Sequence, residues 1–219
     1  MTTWFTSDTH YYHYNIIGFC GRDIGYGPGH VPGFMNRHEA NELMNKVLIE
    51  KHNAVVKPDD EVYHLGDFAF CGVQGADVIL EQLNGKKYWI KGNHDSKLFD
   101  NDKIKSHFQW VRDYTLKYFE IEYQNDEGEF KQFRQPIVMC HFPFASWDGM
   151  SHGSWHLHGH CHGSMEDTGV CRIDVGVDCH GLAPVSLDKL AQIMSLRTVK
   201  PIDHHGRDGT GRLERVSYV

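Results

Sequence analysis

Four short clusters of ligand-type residues punctuate the chain, each spaced so that neighbouring side chains can share one small cation. In Asp8-Thr9-His10 a carboxylate and an imidazole stand two residues apart. At the exit of a strand they project to the same side and can grip one ion. Asp67 follows Gly66, whose backbone freedom allows a tight turn that presents the carboxylate inward, and two carboxylate oxygens can bridge two ions. In Gly92-Asn93-His94-Asp95 the Asn93 amide oxygen suits a hard or borderline cation, His94 remains free to carry a proton, and Asp95 is expected to orient it. His141, and then His160-Cys161-His162, supply three more imidazoles. Alternation turns His160 and His162 one way and Cys161 the other. Each cluster alone has a plainer reading as a surface turn, a helix cap or a hydrogen-bonded loop. Together they offer two carboxylates, one amide and four imidazoles, enough for two adjacent sites rich in oxygen and nitrogen and unlike a zinc finger.

Every cluster needs an element to carry it. Short runs rich in β-branched and aromatic residues at 2–7, 61–65, 87–91, 136–140 and 154–158 read as strands, and each ends at one of these clusters. Strand ends gathered along one sheet edge are where α/β proteins place their sites. Between them, apolar spacing predicts a helix over 37–52, with Asn36 and Glu39 as a capping box, and another over 75–83 that stops at Asn84-Gly85. The second half reads differently, as an extended pair over 117–135 around Asn125-Asp126-Glu127-Gly128, followed by strands at 172–177 and 192–199. A loop at 20–35 and a polar tail complete the pattern, giving one domain over 1–200 and a tail over 201–219.

The ordered motifs Asp-x-His, Gly-Asp, Gly-Asn-His-Asp, a lone His and Gly-His-x-His, running from Asp8 to His162, resemble the calcineurin-like metallophosphoesterase superfamily. The resemblance implies a four-layer α-β-β-α sandwich of class α/β, with two mixed β-sheets and a two-metal site at one sheet edge. It assigns Asp8, His10 and His162 to one metal, Asn93, His141 and His160 to the other, and Asp67 to both. His94 would bind phosphate and protonate the leaving oxygen, with Asp95 behind it. The chain departs from the protein-phosphatase branch after the second motif, where it reads Gly66-Asp67-Phe68-Ala69-Phe70. Two divalent cations against two carboxylates leave about +2 at the site, which attracts a phosphoryl group and turns water held between the ions into a hydroxide nucleophile near neutral pH. Manganese is the favoured metal, with iron, zinc, nickel and cobalt compatible with the same ligands.

Composition sets the remaining expectations. A net charge of −7 favours a small phosphate ester over long nucleic acid as the partner. No apolar run approaches the ~20 residues of a membrane span, and the start of the chain lacks the pattern of a secretory signal. Six scattered cysteines without a Cys-x-x-Cys pair fit a reducing cytoplasm. His13 and Arg22 are further candidates, the first to approach the substrate phosphate and the second to clamp it with its planar fork. Phe142, Phe144 and Trp147 would either pack inward or floor a pocket for a ring. His156 and His158 are expected to pack, and His204 and His205 to lie on the surface. A nuclease on the same scaffold would need a basic groove or capping domain, and a non-catalytic interaction module would show eroded motifs, whereas here the motif set is intact.

Overall fold

The computed structural model describes residues 1–95, 98, 100–124 and 130–199. The first sheet is built from β1 (Thr3–Thr6), β2 (Glu61–His64), β3 (Lys86–Ile90), β4 (Phe108–Arg112) and β9 (Val185–Ser186), in the order β4-β3-β2-β1-β9. The four long members are parallel and β9 is antiparallel to β1. The second sheet comprises β5 (Tyr114–Gln124), β6 (Phe130–Cys140), β7 (Trp155–His158) and β8 (Arg172–Asp174), in the order β5-β6-β7-β8. Here β5 and β6 pair antiparallel while β6, β7 and β8 are parallel. Both sheets are therefore mixed, as expected.

The sheets meet face to face. Phe5, Tyr63, Leu65 and Ile90 of the first share a core with Phe119, Ile121, Ile137, Met139, Trp155 and Leu157 of the second, and the Phe5 and Phe119 rings meet edge-on at 5.5 Å. Each such side chain taken from water contributes ~1.5–3 kcal/mol. Outside the first sheet lie α2 (Arg37–Val55) and α3 (Val73–Gln82), which bury Ala40, Met44, Leu48, Ala76, Ile79 and Leu80 in a second core with Trp89. The capping box forms as its residue types dictate: Asn36 accepts the His38 and Glu39 N–H groups and Glu39 accepts that of Asn36. The outer face of the second sheet is covered by the 142–154 segment, where Phe144 stacks on His156 and Trp147 tilts against it.

The strand expected at 192–199 does not form: its first three residues end the helix α5 (Leu187–Met194), which follows the short helices α1 (Tyr14–Phe19) and α4 (Asp102–Lys105) in chain order, and 195–199 are a turn and an irregular segment. Ser186 caps α5 through the Lys189 N–H, and Leu187, Leu190 and Met194 fall on one helical face buried between the sheets. Only Thr198 bridges back, to Val170. Elements α1, α4, β4 and β9 were not anticipated from the sequence. The extended pair at 117–135 is the β5–β6 hairpin, paired from Tyr114 with Cys140 to Gln124 with Phe130. Its turn at 125–128 and the tail at 201–219, with His204 and His205, lie outside the described residues.

Three buried histidines are wired as neutral rings. His64 Nδ1 accepts the Gly66 N–H at 3.2 Å while its Nε2 donates to Thr9 Oγ1, which donates onward to Phe68 O. His156 Nε2 accepts the Phe144 N–H at 3.0 Å, and His52 Nε2 donates to Asn84 O at 3.0 Å. Burial pushes the pKa of His52 down to about 4 and those of His64 and His156 down to about 3. Unfolded, each titrates near ~6.5, so below that pH the unfolded chain binds more protons and folding loses stability as pH falls toward 4. Urea unfolding is expected to lose several kcal/mol between pH 7 and 4, at up to ~1.4 kcal/mol per pH unit for each histidine. A profile that stays flat from pH 6.5 to 4 would contradict the neutral-ring assignment.

Candidate metal centre

The ligand-type residues sit where strands end, and their backbones are bent to reach one point. Asp8, His10, Asp67, His160 and His162 all adopt left-handed φ values, between 47° and 71°, a conformation that costs a non-glycine residue ~1–3 kcal/mol and collects at functional sites. Neighbouring loops hold them there. Asp8 N–H donates to Gly66 O and His10 N–H to Asp67 O, at 2.9 and 3.1 Å, which zips the loop after β1 onto the loop after β2. Ser7 bridges to Gly176 after β8, so the two sheets join at this edge. Gly92 and Gly159 are required by close approach: a Cβ on Gly92 would stand 2.3 Å from both the nitrogen and Oδ1 of Asp67, and one on Gly159 would stand 2.3 Å from Asp8 Oδ2.

Each carboxylate spends one oxygen on backbone and leaves the other facing imidazoles. Asp8 Oδ2 accepts the His160 N–H at 3.0 Å, and Asp8 Oδ1 lies 3.8 Å from Nε2 of both His10 and His162. Asp67 Oδ1 accepts the His94 N–H at 2.8 Å, and Asp67 Oδ2 lies 3.7 Å from His10 Nε2 and 3.5 Å from His141 Nε2. A single oxygen of Asp67 thus faces both groups, where the sequence suggested one oxygen for each. Asn93 Oδ1 completes the second group, 3.0 Å from His141 Nε2 and from His160 Nδ1.

This donor set fits a pair of divalent cations. Asp8 Oδ1 and both ring nitrogens of His10 are buried without a hydrogen-bond partner, which costs ~1–3 kcal/mol for each such group. Gaps near 3.8 Å are too long for hydrogen bonds but close to the ~3–3.5 Å between neighbouring donors around an ion with ~2.1 Å bonds. Burial pushes the Asp8 carboxyl up to about 6 and the His10 imidazole down to about 2, so Asp8 resists charging while His10 stays neutral. A cation answers both, stabilising the carboxylate and accepting the neutral ring nitrogen. Burial also acts against ionised Asp67, but its hydrogen bond with His141 and the His94 N–H outweigh it and bring its pKa down to about 2.

Two sequence assignments change. Asp95 does not orient His94: its carboxylate accepts the N–H groups of Asp67, Phe68 and Gly92, each at 2.9 Å, and Trp89 Nε1 at 3.2 Å. A fully buried acid with four donors fastens the Asp67 loop to the Asn93 loop. Arg22 does not reach outward as a substrate clamp. It is buried, its Nε and Nη2 grip Asp178 at 2.7 and 2.9 Å, and its remaining donors hold the carbonyls of Asp8 and Thr9 at 2.7 Å.

Asp178 itself was missed. Its Oδ2 takes the Nδ1 proton of His162 at 2.6 Å, which fixes the tautomer and leaves Nε2 directed at Asp8. Burial would lower the His162 pKa, but this hydrogen bond, with Cys20 Sγ 3.3 Å away, carries it up to about 10. The signal available was an acidic residue just past a predicted strand at 172–177, the same arrangement that marked Asp8 and Asp67. Asp178→Ala is expected to cost ~3–5 kcal/mol of stability by stranding the Arg22 charge and to weaken metal binding ~10–100-fold. Denaturant unfolding and a metal titration would read the two effects; an unchanged midpoint would remove Arg22–Asp178 as the brace.

His94 stands at the rim, about half exposed, with Nε2 4.0 Å from Asp67 Oδ2. His13 is partly buried and stacks on Phe70 at 4.0 Å, with its ring 5.5 Å from that of His10. His158 is buried and bonded through Nδ1 to Gly159 O.

The sequence model for calcineurin-like phosphoesterases matches residues 1–214. The uncharacterized protein MJ1445 of Methanocaldococcus jannaschii is 30% identical over 196 residues, covering 86% of this chain and 88% of that one. The protein of unknown function AQ665 from Aquifex aeolicus has a similar fold, with TM-score 0.54 and 24% identity over 88% of this chain and 98% of that one.

Proposed function

Because this chain belongs to the calcineurin-like phosphoesterase family, we propose that it hydrolyses a small phosphomonoester or phosphodiester at a centre of two divalent cations. The observation that carries this reading is the buried Asp8 Oδ1 facing the unpartnered nitrogen of His10, an arrangement that only a cation satisfies at low cost. Asp8, His10 and His162 would hold the first ion and Asn93, His141 and His160 the second, with Asp67 Oδ2 shared. When bound, the ions supply Lewis acidity that draws the phosphoryl group in and makes water nucleophilic near neutral pH. Manganese is the preferred occupant among iron, zinc, nickel and cobalt, since a donor set of carboxylate, amide and imidazole without thiolate suits it.

The chain's own groups do the rest. His94 is accessible, fixed at its backbone by Asp67 Oδ1, and placed at the opening. It contacts the phosphate and gives its proton to the departing oxygen. Asp95 and Arg22 keep the Asp67 and Asp8 loops from shifting, which matters because small displacements of positioned groups cost rate. The net charge of −7 supports a small ester over DNA or RNA. The reading includes a cytoplasmic setting, supported by six free cysteines; among the described residues no helix is long and apolar enough to cross a membrane.

The test compares bis-p-nitrophenyl phosphate with p-nitrophenyl phosphate on metal-stripped protein reloaded with manganese. Metal-dependent release is expected, and the ratio of rates assigns the ester class. No release from either ester at full metal occupancy would count against a phosphoesterase.

A further inference from the structure

Two exposed phenylalanines border the metal centre on different sides. Phe70 is 40% exposed and lies against the imidazoles of His13, His94 and His10, at 4.0, 4.8 and 5.2 Å between ring centres. Phe142 is 43% exposed and meets His160 and His141 at 4.9 and 5.0 Å. Single exposed apolar residues are ordinary, so exposure alone decides nothing. Neighbours in sequence make the contrast: Phe68 is buried against His64 and Trp89, and Trp147 is buried against His156. Beside the buried Phe68 and Trp147, Phe70 and Phe142 stay exposed next to the ligand-type imidazoles.

Phe70 is also held rigidly. Its N–H donates to Tyr11 O at 2.8 Å, Tyr11 bridges to Ala69, and His13 stacks nearly parallel on one side of its ring at 17°. That contact gives His13 a supporting part, with the accessible surface of Phe70 left toward the opening beside His94. The Phe70 and His94 rings stand 4.8 Å apart, so a group leaving the phosphorus with a proton from His94 would have this ring beside it.

Building on the phosphoesterase reading, we infer that Phe70 is a specificity-determining residue that selects esters whose departing alcohol carries a flat aromatic ring, with a nucleoside as the fitting class. In the step itself a water that has given one proton to solvent bonds through its oxygen to phosphorus as the phosphorus–oxygen ester bond breaks, the departing oxygen leaves as an alcohol with the His94 proton, and His94 regains a proton from solvent. Stacking of a base on an aromatic side chain is sequence-tolerant and worth about tenfold or more in affinity. Phe142 lies beside the other group of ligands, against His141 and His160.

The experiment uses pairs that share the leaving oxygen and differ only in the ring: adenosine 5′-phosphate against ribose 5-phosphate, and the methyl esters of both. Wild-type protein loaded with manganese is expected to favour the adenosine member of the hydrolysed pair about tenfold or more in kcat/KM. Phe70→Ala, and Phe70→Leu, which keeps bulk but has no ring, should bring that ratio toward unity, while Phe142→Ala keeps it. A wild-type ratio of unity, a ratio that survives both Phe70 variants, or one that collapses only in Phe142→Ala would overturn the inference. So would inertness of all four esters while p-nitrophenyl esters are cleaved. Inertness of the p-nitrophenyl esters as well would instead sink the phosphoesterase reading beneath it.

Discussion

Asparagine in place of Asp67 is expected to lower kcat/KM for any hydrolysed phosphate ester by at least about 100-fold, because losses one shell further out already cost 10- to 100-fold. The change is small in shape. The substituted amide retains an oxygen to accept the His94 N–H, and the backbone at this position still donates to Asp95, so the fold is expected to hold. What disappears is the negative charge on the one oxygen that faces both His10 and His141. Two divalent cations would then face one carboxylate, raising the charge of the pair from about +2 to about +3 and weakening at least one site. Metal content measured beside activity separates the causes. Full occupancy with full activity in Asp67→Asn would rule out a shared carboxylate as the centre of the site.

His94→Ala should behave differently, keeping both metals while slowing turnover of an alkyl ester by about 10²- to 10⁴-fold, the usual worth of a positioned general acid. The same variant should lose much less on p-nitrophenyl esters, whose leaving group departs without needing a proton. His94 meets the ligand set through its backbone, a 4.0 Å approach to Asp67 and an edge-on ring contact with His10 at 5.9 Å, none of which supplies a donor to either ion, so metal loss is not expected. Equal losses on both ester types would remove the proton-donor role and leave phosphate positioning in its place.

The strands that end at the site were legible because they combine β-branched and aromatic residues with an abrupt change, to glycine or aspartate at four of them and to His141 after β6. The α2 helix was legible for a comparable reason, since Asn36 and Glu39 form a local signal that needs no tertiary context. The segment near the C-terminal end of the domain was misread because Ile193, Met194, Leu196 and Val199 look strand-like over so short a run. Only the register of Leu187, Leu190 and Met194 against the inter-sheet core decides for a helix. Chemistry alone also misplaced Arg22 and Asp95. An arginine in a glycine-rich loop and an acid beside a histidine look functional in one dimension, but the depth that makes them braces is set by contacts with Asp178 and Asp67, distant in sequence. Spacing could nominate the ligands; it could not show that their backbones are left-handed or that Asp67 offers one oxygen to both groups.

The most direct measurement is electron paramagnetic resonance of metal-stripped protein titrated with manganese, read against the number of ions bound per chain. Two bound ions with a coupled multiline signal that appears as the second site fills is the result expected of ligands sharing Asp67. Saturation at one ion, or two ions giving only the six-line spectrum of isolated manganese, would contradict a shared two-metal centre.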